Sequence, residues 1–493
     1  MKFISTRGGS FAENAAQAIT KGLADDGGLF VPEYFPDLSK DLESMLSMDY
    51  PEKACFVLSK FLEEYDYGRL LAACKSAYSK FENAEPAPIV KTDSKFYILE
   101  LFHGPTSAFK DVALTLLPYL LREGANLIGL KENILILTAT SGDTGKAALE
   151  GFKDAEGIKI MVFYPSEGVS DMQKLQMCTQ EGDNVNVVAV KGNFDDCQTA
   201  VKNIFSSPEA ALKLKNKNYI LSSANSINFG RLAPQIAYYF SAYCDLVGSG
   251  EITLGDKVDF VVPTGNFGNI LAGYYAKRMG LPVGKLVCAS NSNNVLTEFF
   301  SSGEYNSNRE FYKTMSPSMD ILISSNLERL VFELSGRDAA LTNKRMSDLK
   351  KKSKYEISET ERIKLSQDFY ADYCDEEECG ATIRDFFEES GYVLDPHTAV
   401  AVDVADGYLC YSHSKNAMVI LSTASPYKFP QNVLRCISGK SERDAFRAAD
   451  ILSKTTAEPV PDKIFELKNK KVLFTEVIDK NDALKSVIDF AEK

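Results

Sequence analysis

The chain has 493 residues, of which 45% are hydrophobic and 25% charged, a composition that excludes a disordered or fibrous protein and suits roughly three folded lobes. Its formal net charge of -13 opposes binding to nucleic acid or anionic lipid, so neither is an expected partner. No stretch approaches the ~20 apolar residues of a membrane span, and the opening "MKFISTRGGSFAENAAQ" lacks the apolar core of a signal peptide, so a cytoplasmic location is expected.

Residues 1–88 read as a mostly helical domain, with "FAENAAQAITKGLA" and "PEKACFVLSKFLEEY" carrying apolar residues at helical spacing around a Gly/Pro turn segment. From 89 to 440 short apolar strands alternate with helices, the pattern of parallel βαβ units, and two α/β lobes are expected, the smaller over about 132–235. The strands expected are 133–138, 158–164, 186–190, 258–263, 285–290 and 417–422. The charged stretches 206–218 and 345–380 read as surface connections or helical insertions, and 441–493 as a peripheral α/β segment. "CDEEEC", from Cys374 to Cys379, reads as a solvated acidic loop. With no CxxC pair and only three histidines, His103, His397 and His413, no metal centre is expected.

In open α/β sheets, ligands sit beyond the carboxyl ends of strands. Three such loops stand out: "TATSGDTGKAA", "PTGNFGNILAG" and "STASPYKF". The first ends in Gly145-Lys146, as a P-loop does, but the P-loop pattern needs glycine where Thr140 stands and a hydroxyl where Ala147 stands. The second places Gly265 and Gly268 before a helix whose free N–H groups suit an anion, although a turn without a ligand would look the same. Lys110, in "LELFHGPTSAFKDVALTLLPYLL", lies in the first turns of an apolar helix, where burial and the helix dipole disfavour its charge. It is a candidate Schiff-base former; the alternative is that it snorkels or pairs with Asp111.

A buried lysine, a glycine-rich phosphate cup and a hydroxyl-rich loop together suit a pyridoxal phosphate enzyme. The segments "STRG", "GLADDGGLFVPE", "ELFHGPTSAFKD", "TSGDTG", "NSINFGR", "GNFGN", "MSPSMDILISSNLERL" and "LDPHTAVA" occur in one order over nearly the whole chain. On these segments the sequence resembles the threonine synthase family. The resemblance implies the fold type II, tryptophan synthase β-like architecture and a PLP-dependent carbon–oxygen lyase. Its reaction would convert O-phospho-L-homoserine and water to L-threonine and phosphate, the last step of threonine biosynthesis.

It further implies that Lys110 carries pyridoxal 5'-phosphate through its amine and that Gly265, Asn266, Phe267, Gly268 and Asn269 hold the cofactor's phosphate. Thr423 would face the pyridine nitrogen and Asp143 the ring hydroxyl. Thr140, Ser141 and Thr144 would bind the substrate carboxylate, and Ser226 and Arg231 its phosphate. His397 and His413 are assigned no catalytic role; "DPHTAVA" reads as a helix start capped by Asp395 or Thr398. His103 and Thr106 are expected to order the site or to pack.

Ser425 and Tyr427 depart from the histidine and alanine common in the family, and Asn269 from an aspartate found in some relatives, which bears on fine specificity. The same residues would serve a phospho-lyase releasing 2-oxobutyrate, and a non-catalytic binding protein could share the fold. A monomer or a homodimer fits the sequence equally.

Overall fold

The computed structural model describes residues 1–92, 96–140, 142–167 and 169–492. The larger of its two main sheets has six strands in the order Phe369–Tyr373, Val283–Ser290, Val258–Pro263, Ala417–Ser422, Tyr97–Glu100, Ile89–Lys91. All neighbours are parallel except the last pair. The smaller is entirely parallel, in the order Val477–Ile478, Val185–Val190, Ile158–Pro165, Asn133–Ala139, Tyr219–Ser222.

The six expected strands are all present, and their composition explains why. Ile134 to Leu137 are fully or almost fully buried, as in a parallel strand covered by helices on both faces. Each such aliphatic side chain contributes roughly 1.5–3 kcal/mol on leaving water.

Five strands of these sheets were not anticipated because they lie at or near the edges and are short or polar. Phe369–Tyr373, "FYADY", is buried fully only at Phe369. It belongs to the 345–380 stretch, so that stretch is more than a surface insertion: it supplies a sheet edge as well as the helix Glu359–Asp368. "CDEEEC" also differs from the expected loop. Cys374 and Cys379 are buried, and Asp375 caps the helix Glu376–Ser390 in a capping box with Glu378. Acidic residues at a helix N-terminus are favoured by the dipole, which explains their run.

The segment before residue 89 carries the helices Ala15–Lys21, Tyr50–Ser59 and Tyr67–Tyr78, plus a small antiparallel sheet of Phe11–Ala12, Phe3–Ser5 and Phe30–Pro32. Its "STRG" motif is structural. Thr6 Oγ1 donates to Glu328 at 2.6 Å, and Arg7 pairs with the same carboxylate at 2.8 Å. Arg329 next door is fully buried and donates to the carbonyls of Phe30 and Ile227. The N-terminal sheet, the helix Leu327–Leu334 and the loop before Asn228 are thereby tied together. No helix among the described residues is long and apolar enough to cross a membrane.

Candidate active site

The loops after Tyr97–Glu100, Asn133–Ala139, Val258–Pro263 and Ala417–Ser422 converge, as carboxyl ends of parallel strands do. Lys110 opens the helix Lys110–Leu114 and is buried. Its Nζ lies 3.4 Å from Asp143 Oδ2 and 3.3 Å from Ser318 Oγ. Asp111 is not its partner, because both oxygens of that carboxylate are taken by Thr106, at 2.7 Å from the amide and 2.6 Å from the hydroxyl. The lysine is therefore aimed inward, at the start of the "TSGDTG" helix.

Burial lowers the Lys110 pKa, and the positive charges of Lys428 and Arg231 lower it further against the opposing pull of Asp143. Burial alone would raise the Asp143 pKa, but Lys428 and Lys110 outweigh it and hold the carboxyl well below its ordinary range. Asp143 Oδ1 takes Lys428 at 2.7 Å and Gln173 Nε2 at 2.9 Å, while Ser318 Oγ donates to Oδ2 at 3.2 Å. Gly142, at φ 149°, makes room for Gln173: a Cβ there would stand 2.4 Å from the Gln173 carboxamide carbon.

The "GNFGN" turn leaves its donors free. The helix Gly268–Arg278 has no side-chain cap, and Phe267 before it adopts φ 63°. Among the described residues no acceptor takes the N–H of Gly268, Asn269 or Ile270. Asn269 Oδ1 accepts from Tyr238 at 2.5 Å and Tyr239 at 3.0 Å, yet its Nδ2 is buried with no partner. A buried amide left unpaired costs about 1–3 kcal/mol, so this set of donors fits a phosphate group. The Phe267 ring is in the core beside Phe300 and Phe369, so only its backbone is available to the turn. Asn266 is exposed at the rim. Gly265 is needed for a close approach: a Cβ there would lie 2.8 Å from the Ser318 carbonyl oxygen.

Two residues of "NSINFGR" complete the donor set. Arg231 is buried, donates to the Ala224 carbonyl at 2.8 Å and has no carboxylate within ion-pair range among the described residues. Burial pushes its pKa down to about 10. Ser226 Oγ accepts from Asn326 at 2.9 Å, leaving its proton to donate, and its Cβ would lie 3.4 Å from a Cβ on Gly268. Asn228 is structural, with its amide bonded to the carbonyls of Ile19 and Ser223.

The "TSGDTG" loop behaves differently. The Thr140 hydroxyl accepts from the N–H of Gly142 at 3.0 Å and of Gly145 at 2.9 Å, so it closes its own turn. Ser141 lies outside the described residues. Thr144 is partly exposed. Thr423 is buried, its carbonyl accepting from Phe109 N at 2.9 Å, which sets it beside Lys110. Ser425 caps the short turn Pro426–Lys428, and Tyr427 donates to the Glu458 carbonyl at 2.7 Å.

Sequence reasoning missed Lys428, Gln173, Ser318 and His397. Asp395 caps its helix as expected and also holds His397 Nδ1 at 2.7 Å; His397 Nε2 accepts the Ser318 N–H at 3.2 Å. His397 thus positions the serine that touches Lys110. Lys428, Ser318 and His397 lie within the quoted segments, whereas Gln173 lies in none of them, and no spacing rule connects the four.

Comparison with known proteins identifies the family. The pattern described as "Pyridoxal-phosphate dependent enzyme" matches residues 84–423, "Threonine synthase N terminus" matches 2–78 and "Threonine synthase, C-terminal" matches 398–488. Human threonine synthase-like 1 is 43% identical over 438 residues, 86% of this chain, although the match spans only 58% of the human protein's length. Threonine synthase of Pseudomonas aeruginosa is 38% identical, with 92% of this chain and 94% of that one covered. The PLP-bound crystal structure of threonine synthase from Brucella melitensis superposes with a TM-score of 0.88 at 37% identity, with both chains fully covered. The chain belongs to the threonine synthase family of fold type II pyridoxal-phosphate-dependent enzymes.

Proposed function

We propose that this chain is a carbon–oxygen lyase that converts O-phospho-L-homoserine and water to L-threonine and phosphate with pyridoxal 5'-phosphate. The observation that carries this reading is the Lys110 amine, held between Asp143 and Ser318, together with unpaired anion donors on Asn269 and Arg231.

Lys110, Thr423, Asp143 and the turn Gly265–Asn269 would hold the cofactor, with the helix N–H groups and Asn269 Nδ2 serving its phosphate. When bound, the cofactor supplies an electron sink for charge developing at the substrate's α-carbon. The chain then has to bind the substrate and move protons. Lys110, its basicity reduced by burial and neighbouring cations, is suited to take the α-proton and to pass protons during loss of phosphate from the γ-carbon. Arg231 and Ser226 would bind the substrate's phosphate and stabilise the charge that builds on it as it leaves. Ser141, Thr144 and the helix start at Asp143 would receive the carboxylate, with Thr140 holding the shape of that loop. Water adds at the β-carbon to complete threonine.

The test is to incubate the purified, cofactor-loaded protein with O-phospho-L-homoserine and identify the carbon product as phosphate appears. Threonine supports the reading. Release of 2-oxobutyrate, or no turnover, overturns the assigned reaction.

A further inference from the structure

Lys428 is 1% exposed and sits between two carboxylate-bearing elements. Its Nζ is 2.7 Å from Asp143 Oδ1 and donates to the Thr106 carbonyl at 2.9 Å. Thr106 is the residue that secures Asp111, and Asp111 itself feels the Lys428 charge. The Asp143 carboxylate is thereby shared unequally by two lysines: Lys428 makes a short contact with one oxygen, Lys110 a 3.4 Å contact with the other. Gln173 adds to the Lys428 side and Ser318 to the Lys110 side.

We propose that Lys428 is a positioning residue that acts through Asp143, occupying the carboxylate so that the Lys110 amine stays free to accept a proton. A carboxylate with only Lys110 beside it would hold that lysine as an ammonium, which cannot take a proton from substrate. The charged groups around the Lys110 amine are Asp143, Lys428 and Arg231. The Arg231 charge is also felt at the Lys110 amine, but its guanidinium donates to the Ala224 carbonyl and makes no ion pair with Asp143 among the described residues, so it cannot replace Lys428 in this role. Burying one carboxylate against two cations also explains why the second lysine is tolerated: a lone buried charge of either sign costs several kcal/mol.

The inference rests on Lys110 as the reacting amine, and its test does not depend on the product formed. The full-length chain freed of cofactor is acylated with trace acetic anhydride across a pH series, and labelling at Lys110 is quantified by peptide mass spectrometry. In Lys428→Met, Lys110 labelling at neutral pH is expected to fall about ten-fold, one pKa unit, with its midpoint moved to higher pH. Lys428→Arg keeps the charge and restores labelling. The double variant Lys428→Gln, Asp143→Asn removes the pair as a unit, leaves no orphaned charge, and is expected to label Lys110 within about two-fold of the unaltered protein by cancellation of the two charge effects. Unchanged labelling in Lys428→Met, failure of Lys428→Arg to restore it, or a ten-fold loss in the double variant would overturn the proposal. If Lys428→Met does not fold, the other two variants still decide it.

Discussion

Two strand-to-helix turns, "TSGDTG" and "GNFGN", look alike in the sequence, yet their donors are used in opposite ways. In the first, the Thr140 hydroxyl takes the N–H of Gly142 and Gly145, so much of the turn's hydrogen-bonding capacity is consumed internally. In the second, nothing caps the helix from Gly268, and Asn269 Nδ2 is buried without a partner. The comparison shows that glycine content marks a tight turn, whereas unpaired donors mark an anion site.

The largest expected effect tests the amine beside the first turn, Lys110, which contacts Asp143. Lys110→Ala should lower the rate of phosphate release from O-phospho-L-homoserine by about 10²–10⁴-fold or more, the usual range for loss of a proton-transfer group. Retained turnover would remove Lys110 from the reaction. Next, Arg231→Leu removes an unpaired guanidinium, and a charge-assisted hydrogen bond is worth about 1.5–3 kcal/mol. We expect KM for the phosphorylated substrate to rise about 10–150-fold, against little change with Lys21→Ala, whose side chain pairs with Asp25 at the surface.

The open turn can be broken selectively. Gly265→Ala forces a Cβ to within 2.8 Å of the Ser318 carbonyl, whereas Gly268→Ala meets nothing closer than 3.4 Å. Overpacking costs about 1–3 kcal/mol, so equilibrium dialysis should show weaker cofactor retention for Gly265→Ala than for Gly268→Ala. The closed turn should respond in stability. Thr140→Val strands two N–H groups and should lower unfolding free energy by about 1–3 kcal/mol. Thr144→Val, which breaks no hydrogen bond among the described residues, should change denaturant unfolding by no more than about 0.5 kcal/mol.

Much of this architecture was legible in the sequence. Strands such as Asn133–Ala139 are nearly continuous apolar runs, and Lys110 stood out as a charge in an apolar helix. Edge elements were not legible: Phe369–Tyr373 is a strand because Val283–Ser290 offers it a parallel partner, and its mixed composition carries no strand period. The site was legible where function is written in consecutive residues, as in "GNFGN". It was not where chemistry depends on distant neighbours. Lys428 ends an ordinary short turn, and its ion pair with Asp143 joins residues far apart in the sequence. His397 reads as a helix-start residue until Ser318 N–H is found on its ring.

In the proposed reaction phosphate leaves by breaking the bond between its oxygen and the γ-carbon, and water supplies the new hydroxyl. That course is tested most directly by turnover in water enriched in oxygen-18, with both products analysed by mass spectrometry. The expected products are threonine carrying one oxygen-18 in its β-hydroxyl and inorganic phosphate free of label. Labelled phosphate alongside homoserine would mean cleavage at phosphorus, and would contradict it.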